Sequence, residues 1–390
     1  MSSIFFLIHA VLWENKVFCG TSRELEEISS RLRTQLIEHF SVNRHEDFNP
    51  TNKDNVRNYI KETMESYNLE VELQYFDSLY TQYEGTNIIG VLPGPLVGTA
   101  DDRVVLLGAH YDSEKLTPGV DDNGSGMAIL LEAAAMVTSS ICEHRNTVIF
   151  AAFDLEEWQD VAGDISIGSL YFVQKWLLPF LTNDNGAANS SFQGALIMET
   201  AMNYNNTVNS QMIPYGFEQV FPDVYAHLVN RGFRGDFLNV IGRRTDAVFS
   251  DKFVEHLARI DDTKPVFYTE ATQLPIDGVP TDGEINMFGD YFRSDHTRFW
   301  EVGPPYLKAL FITDSANFRS PMDACYHQEC DNLAMITADN LLFLARTTKA
   351  ATTMIEELAM DCPVGTSSLL KSSSVVWCAV LFFWMFIAFQ

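Results

Sequence analysis

The stretch Arg103-Val104-Val105-Leu106-Leu107-Gly108-Ala109-His110-Tyr111-Asp112 decides the fold. An aliphatic run with no polar alternation reads as a strand buried on both faces, as the strands of a parallel sheet are. It ends on an imidazole and a carboxylate. The next loop closes on Gly119-Val120-Asp121-Asp122-Asn123-Gly124-Ser125-Gly126, and Gly126 to Val137 then follows a helical pattern. Strand, polar loop and helix together open an α/β unit.

Working outward, further buried strands are expected at Asn87 to Leu92, Thr147 to Phe153, Ala195 to Met198 and Ala309 to Thr313. Helical patterns lie between them at Ser169 to Leu178 and Phe221 to Asn230, and Ala338 to Leu358 reads as a long closing helix. Residues 21 to 80 read as surface helices, from the spacing of Leu25, Ile28, Leu32, Leu36 and Ile37 and again of Val56, Ile60 and Met64. The fold class is therefore α/β, with a mostly parallel mixed central sheet and helices on both faces. Neither a repeat nor a Pro- or Gly-rich linker divides the chain, so residues 20–362 are expected to form one catalytic domain.

The 390 residues carry 26 Lys plus Arg against 52 Asp plus Glu, a net charge of 26 − 52 = −26. A surface that neutralises phosphates cannot be built from so few cations, so nucleic acid is excluded as a partner. With 46% hydrophobic residues the chain is also not a disordered one.

Both ends call for their own reading. Ile4 to Trp13 is apolar apart from His9, and Val17 and Cys19 precede a cut at Gly20, so residues 1–19 are expected to be a signal peptide despite lacking a basic start. A buried strand or helix start is the alternative. Val375 to Phe389 is uncharged but shorter than the roughly 20 residues of a membrane-crossing helix. Preceded by a small, polar stretch, residues 363–390 resemble a spacer and tail exchanged for a glycosylphosphatidylinositol (GPI) anchor. A short tail-anchored helix and a buried helix remain open. Together the ends place the protein outside the cell or on its surface, with membrane attachment through the lipid.

Of the six cysteines, Cys19 and Cys378 leave with the two ends. Cys325 and Cys330 are near enough for a small disulfide loop, which leaves Cys142 for Cys362. Asn189 and Asn205 begin glycan-acceptor sequons, and a third begins at Asn123 inside the loop motif, where a glycan is not expected.

The chemistry gathers at strand ends. His110 and Asp112 follow the first strand, Asp154-Leu155-Glu156-Glu157 follows Thr147 to Phe153, and Glu199 follows Ala195 to Met198. Solvated surface charge would not track strand ends in this way. Imidazole and several carboxylates together suit a divalent cation such as Zn²⁺, and a carboxylate shared between two ions bridges them. An uncoordinated carboxylate beside them takes the proton of the attacking water. Two ions need a second histidine, and spacing leaves His296 and His327 as candidates.

The set His110-Tyr111-Asp112, Gly119 to Gly126, Glu156-Glu157, Ser294-Asp295-His296 and Cys325-Tyr326-His327 resembles the co-catalytic zinc aminopeptidases, whose superfamily includes glutaminyl cyclases and glutamate carboxypeptidases. The resemblance implies two Zn²⁺ ions bridged by Asp122, one completed by His110 and Glu199 and the other by Glu157 and His327. It implies Glu156 as general base, Asp112 as the orienter of His110, Tyr326 as hydrogen-bond donor to the oxyanion, and Asp295 and His296 in the substrate pocket. The implied activity is removal of N-terminal residues from peptides. Glu199 stands where many relatives have Asp, and residues Trp158 to Ile167 lengthen the segment before Gly168-Ser169 as in the cyclases. A single-zinc glutaminyl-peptide cyclotransferase is thus the alternative, and a glutamate carboxypeptidase would call on Arg243 and Arg244, which otherwise read as an exposed turn. A non-catalytic receptor is disfavoured by the complete ligand set.

Overall fold

The computed structural model describes residues 23–77, 84–157, 166–182, 189–260 and 265–362. The expected signal peptide, the C-terminal spacer and tail, and Trp158 lie outside these residues. Among the described residues no helix is long and apolar enough to cross a membrane.

The strands in chain order are β1 (Glu70–Asp77), β2 (Glu84–Leu92), β3 (Arg103–His110), β4 (Glu143–His144), β5 (Val148–Phe153), β6 (Ser191–Glu199), β7 (Phe237–Arg243), β8 (Tyr268–Leu274), β9 (Ala309–Thr313) and β10 (Met360–Asp361). Eight form one sheet in the order β1-β2-β5-β3-β6-β9-β7-β8, and β10 pairs with β4 in a separate ribbon. The centre, β5-β3-β6-β9, is parallel throughout. The pairs β1/β2, β2/β5 and β7/β9 are antiparallel, so the sheet is mixed as expected.

Alternation along β3 divides the core. Val105, Leu107 and Ala109 face one apolar layer, which takes in the helix of residues 23–38, helix Gly124–Thr138 and helix Ala338–Ala359. Val104 and Leu106 face the other, with Phe172, Leu177, Phe299 and Trp300. Leu25, Ile28, Leu32 and Leu36 are all buried, which gives the first helix its reason to form: its apolar stripe has a partner. Truncating one of them, Leu32→Ala, removes contacts worth about 2–5 kcal/mol.

Two expectations are corrected. Residues 70–77 are not helix but the edge strand β1, whose charged outer residues alternate with half-buried ones. Such an edge keeps one face in water, and its alternation has period two rather than 3.6. Sequence reading also passed over β7, interrupted by Asn239 and Gly242, and β8, a polar strand at the opposite edge.

The disulfides Cys142–Cys362 and Cys325–Cys330 both form, with Cα atoms 4.4 and 5.1 Å apart. The first fastens the β4/β10 ribbon. Arg243 is not at an exposed turn. It is fully buried, paired with Asp246 at 2.8 Å, and donates to the carbonyls of Gly278, Trp300 and Leu307. With those donors engaged internally it does not reach a substrate carboxylate, while Arg244 pairs outside with Asp277.

Candidate metal centre and active site

Register brings the donors to one edge of the sheet. Gly108 of β3 pairs with Ile197 of β6, two residues before His110 and Glu199 respectively, and His110 pairs with Phe153, the last residue of β5. Parallel strands end together, so the loops that leave them converge.

The 119–126 loop brings in Asp122. Asn123 caps helix Gly124–Thr138 by accepting from the Gly126 N–H, and its side-chain amide donates to the Met198 carbonyl at 2.8 Å. A Cβ at Gly126 would lie 2.3 Å from Asn123 Oδ1 and 2.7 Å from the Met198 carbonyl, so only glycine allows this approach. The same cap occupies the Asn123 sequon. Asp331 accepts the N–H groups of Asp121 and Asp122 at 2.8 and 3.0 Å, so the residue after Cys330 sets the loop's direction.

Around Asp122 the donors are close. Its Oδ1 lies 3.4 Å from His110 Nε2 and its Oδ2 3.3 Å from His327 Nε2. Glu199 Oε2 is 3.1 Å from His110 Nε2, and Glu157 Oε2 is 3.1 Å from His327 Nε2. His110 Nδ1 faces Asp112 Oδ1 at 3.4 Å, while Asp112 accepts the N–H groups of Glu156 and Glu157. The structure therefore brings together His110, Asp112, Asp122, Glu156, Glu157, Glu199 and His327.

Both nitrogens of His110, Asp122 Oδ2, Glu157 Oε1 and His327 Nε2 are buried without a hydrogen-bond partner. One donor atom each from His110, Asp122 and Glu157 lies within 4.8 Å of the others. Two ligands held about 2.0–2.2 Å from a tetrahedral ion are about 3.3–3.6 Å apart, close to the spacings seen here. The donor set thus fits a zinc-like cation: nitrogen and oxygen lone pairs face one another where a hydrogen-bonded pair would show a partner.

Burial pushes the Glu156 carboxyl well above the usual range, against the pull of His110, and Glu199 and Glu157 add to the rise. Burial likewise lifts Glu157 and Glu199 to about 7. Asp122, though buried, is held below the usual range by His110 and His327. Crowded, desolvated carboxylates of this kind call for positive charge.

Three non-glycine residues at or beside the donors adopt positive φ: Leu155 (54°) before Glu156, Thr200 (42°) after Glu199, and His327 itself (61°). Such conformations cost of order 1–3 kcal/mol each and persist where the surroundings over-determine them. At His327 the surroundings include the Cys325–Cys330 bridge and the Tyr326 ring, stacked at 3.8 Å.

Beside the centre lies a cavity of about 700 Å³, counted out to its open mouth. Its wall is largely apolar, with Phe217, Val224, Leu228, Phe237, Ile241 and Phe311, and also includes Glu199, Arg293 and Tyr326. His296, expected to line such a pocket, is instead fully buried, stacked on Phe311 with its Nε2 against the Tyr291 carbonyl. Burial lowers its pKa to about 3, which keeps it neutral. Asp295 is also fully buried and outside the cavity wall, among groups including His110 and Asp112. Sequence reasoning gave no role to Ser166, which donates to Glu156 Oε1 at 3.1 Å, or Ser294, which donates to Glu199 Oε2 at 2.8 Å. Ser294 was visible as the neighbour of Asp295. Ser166 carried no signal.

Residues 87–235 match the model of Peptidase family M28. The chain is 27% identical over 307 residues to the uncharacterized protein YfbL of Escherichia coli K12, covering 75% of this chain and 77% of that protein. It is 30% identical over 131 residues to a probable leucine aminopeptidase 2 of Arthroderma benhamiae, covering 32% of this chain but only 26% of the relative. The fold is similar to that of a Macrostomum lignano glutaminyl cyclase, with a TM-score of 0.57 and 19% identity over 86% of this chain and 92% of the other.

Proposed function

From a metallopeptidase core whose residues 87–235 match Peptidase family M28, we propose that the chain is an aminopeptidase that removes apolar N-terminal residues from peptides with two zinc ions. The observation that carries this reading is the apolar cavity that shares Glu199 with the donor cluster and also takes in Tyr326, the neighbour of His327. A side chain in that cavity brings the adjoining peptide bond beside Glu156. The free α-amine, a cation, is matched by the carboxylates of Glu156 and Glu199.

Asp122 would hold both ions, His110 and Glu199 one, and Glu157 and His327 the other. Zinc, when bound, acidifies water and polarises the scissile carbonyl. Glu156 is fixed through one oxygen by Ser166, which leaves Oε2 to take the proton of the attacking water and later return it to the leaving amine. Tyr326 donates its hydroxyl hydrogen to the oxygen that becomes negative. Asp112, whose Oδ1 faces His110 Nδ1 at 3.4 Å, would steady the ring by charge attraction rather than by a formed hydrogen bond.

The two disulfides support an extracellular location, with residues 1–19 as signal peptide, 20–362 as the enzyme and 363–390 as the GPI signal. Asn189 would be the better glycan acceptor, because the Asn205 amide donates to the Ser320 carbonyl. Mass spectrometry tests the activity on two peptides, one beginning in Leu and one in Gln. Loss of the first residue from the Leu peptide supports the aminopeptidase. Loss of ammonia alone from the Gln peptide, with the Leu peptide intact, makes the protein a cyclase instead.

A further inference from the structure

Tyr111, between His110 and Asp112, is fully buried, and two cations from one short stretch of the N-terminal region bear on its two ends, one directly and one through Asp154. At its backbone end, Arg44 Nε donates to the Tyr111 carbonyl at 2.7 Å. The same guanidinium donates through Nη1 to the Pro118 carbonyl at 2.8 Å and through Nη2 to the Gly119 carbonyl at 2.9 Å. It also holds its own segment through the carbonyls of Phe40 and Val42. One side chain thus ties the strand end that carries His110 to the loop that carries Asp122. Gly119 has φ +64°, and a Cβ there would lie 3.0 Å from Arg44 Nη2 and 2.3 Å from the Asp122 carbonyl, so the loop passes directly against the guanidinium.

At its phenol end, the Tyr111 hydroxyl lies 2.8 Å from Asp154 Oδ2 and 2.9 Å from the Thr86 carbonyl, and its one hydrogen serves either acceptor. Asp154 Oδ1 pairs at 2.6 Å with Lys53 Nζ, which pairs equally with Glu46. Lys53 enters from helix Pro50–Ser66 and is 1% exposed. Asp154 in turn begins the segment whose Glu156 and Glu157 N–H groups donate to Asp112. A buried ion pair is poor value as pure stabilisation, since an apolar replacement of similar volume is often neutral. What a charge provides and a methyl group does not is a fixed direction for its partners.

We propose that Arg44 and Lys53 are positioning residues that clamp Tyr111 at its two ends and so fix His110 and Asp122 against Glu156 and Glu157. The proposal rests on the metal-centre reading of the site for its cobalt readout and on the peptidase reading for its kinetic readout. Neither residue lies in the segment matched by the family model, 87–235.

The test uses Lys53→Met, Lys53→Arg, Arg44→Lys and Tyr111→Phe in the full chain, each checked for a wild-type-like circular dichroism spectrum. Co²⁺ replaces zinc, and its visible absorption and its loss to a chelator are recorded beside kcat and KM. In Lys53→Met, Arg44→Lys and Tyr111→Phe, metal affinity is expected to fall about 10–100-fold, with a displaced cobalt spectrum and a lower kcat at nearly constant KM. Lys53→Arg is expected to restore most of the loss. Folded Tyr111→Phe with unchanged cobalt spectrum and chelator kinetics overturns the proposal, and this one-oxygen change decides alone if Lys53→Met does not fold. If the wild type cleaves no peptide, the peptidase reading fails while the cobalt measurements still decide the clamp.

Discussion

Asp122 turns its two carboxylate oxygens to two different histidines, Oδ1 to His110 at 3.4 Å and Oδ2 to His327 at 3.3 Å. Those histidines are 217 positions apart (327 − 110) and come from unrelated loops. A carboxylate so placed divides the donors into two sets, one containing Glu199 and the other Glu157.

Loss of one set should be measurable. His327→Ala is expected to lower metal content by up to one ion per chain, read by plasma mass spectrometry after dialysis. Equal content in the variant and the wild type would remove His327 from the ligands.

Glu156 stands apart from both sets, with its Oε2 3.9 Å from His110 Nε2. Glu156→Gln keeps the size and the Ser166 contact but loses the base, so kcat is expected to fall roughly 10²–10⁴-fold. Metal content in the same preparation should not change.

In the proposed aminopeptidase the cavity would set the side-chain preference. Val224→Trp fills part of it, and cleavage after N-terminal Phe or Leu is expected to fall by about ten-fold or more relative to Ala, compared as kcat/KM. Equal losses for all three substrates would mean that the cavity is not where the side chain sits.

The two disulfides should separate stability from metal binding. Cys142–Cys362 spans 220 positions, and its removal as a double Ser variant is expected to cost about 3–5 kcal/mol while the remaining folded enzyme keeps its kinetics. The Cys325–Cys330 bridge spans only 5 positions, so its removal should change Tm less and metal retention more. Calorimetry and chelator titration distinguish the two.

Acid dependence can be tested away from the centre. Glu357 pairs with Lys252 and His256, and its carboxyl is held below the usual range chiefly by the Lys252 hydrogen bond. The folded form therefore binds fewer protons, so the stabilisation is present above the unfolded value near ~4.3 and is lost as pH falls through the folded pKa. Glu357→Gln is expected to lower Tm by roughly 1–3 °C at pH 7, a difference that shrinks steadily as the pH is lowered into the acid range. A difference that does not shrink on acidification would contradict this.

The central strands and their chemistry were legible because aliphatic runs ending in His or Glu leave few other readings. Edge strands β1 and β8 were not, because a half-wetted strand loses the apolar run that marks a buried one. Arg243 was misread for a related reason: adjacent arginines look solvated until Asp246 and three carbonyls, one of them 64 positions away, come together around one of them. Arg44 and Lys53 carried no local signal. Their partners lie in other segments: Arg44 stands in a loop, and Lys53, between Asn52 and Asp54 on a helix, reads as surface. His296 stands beside Asp295 in a motif that reads as substrate-facing, yet only the tertiary stacking on Phe311 shows its ring turned into the core.

The Cys142–Cys362 bridge also determines how the molecule would carry mechanical load. Tension between the chain ahead of residue 23 and the chain beyond Cys362 runs only as far as Cys142 and then crosses the sulfur bridge. Residues 143–361 form a slack covalent loop, and Glu156, Glu157, Glu199, Tyr326 and His327 all lie within it. His110, Asp112 and Asp122 lie on the loaded path. A stretched molecule would therefore be loaded at the seam between these two groups, while the backbone of the 143–361 loop itself stayed slack.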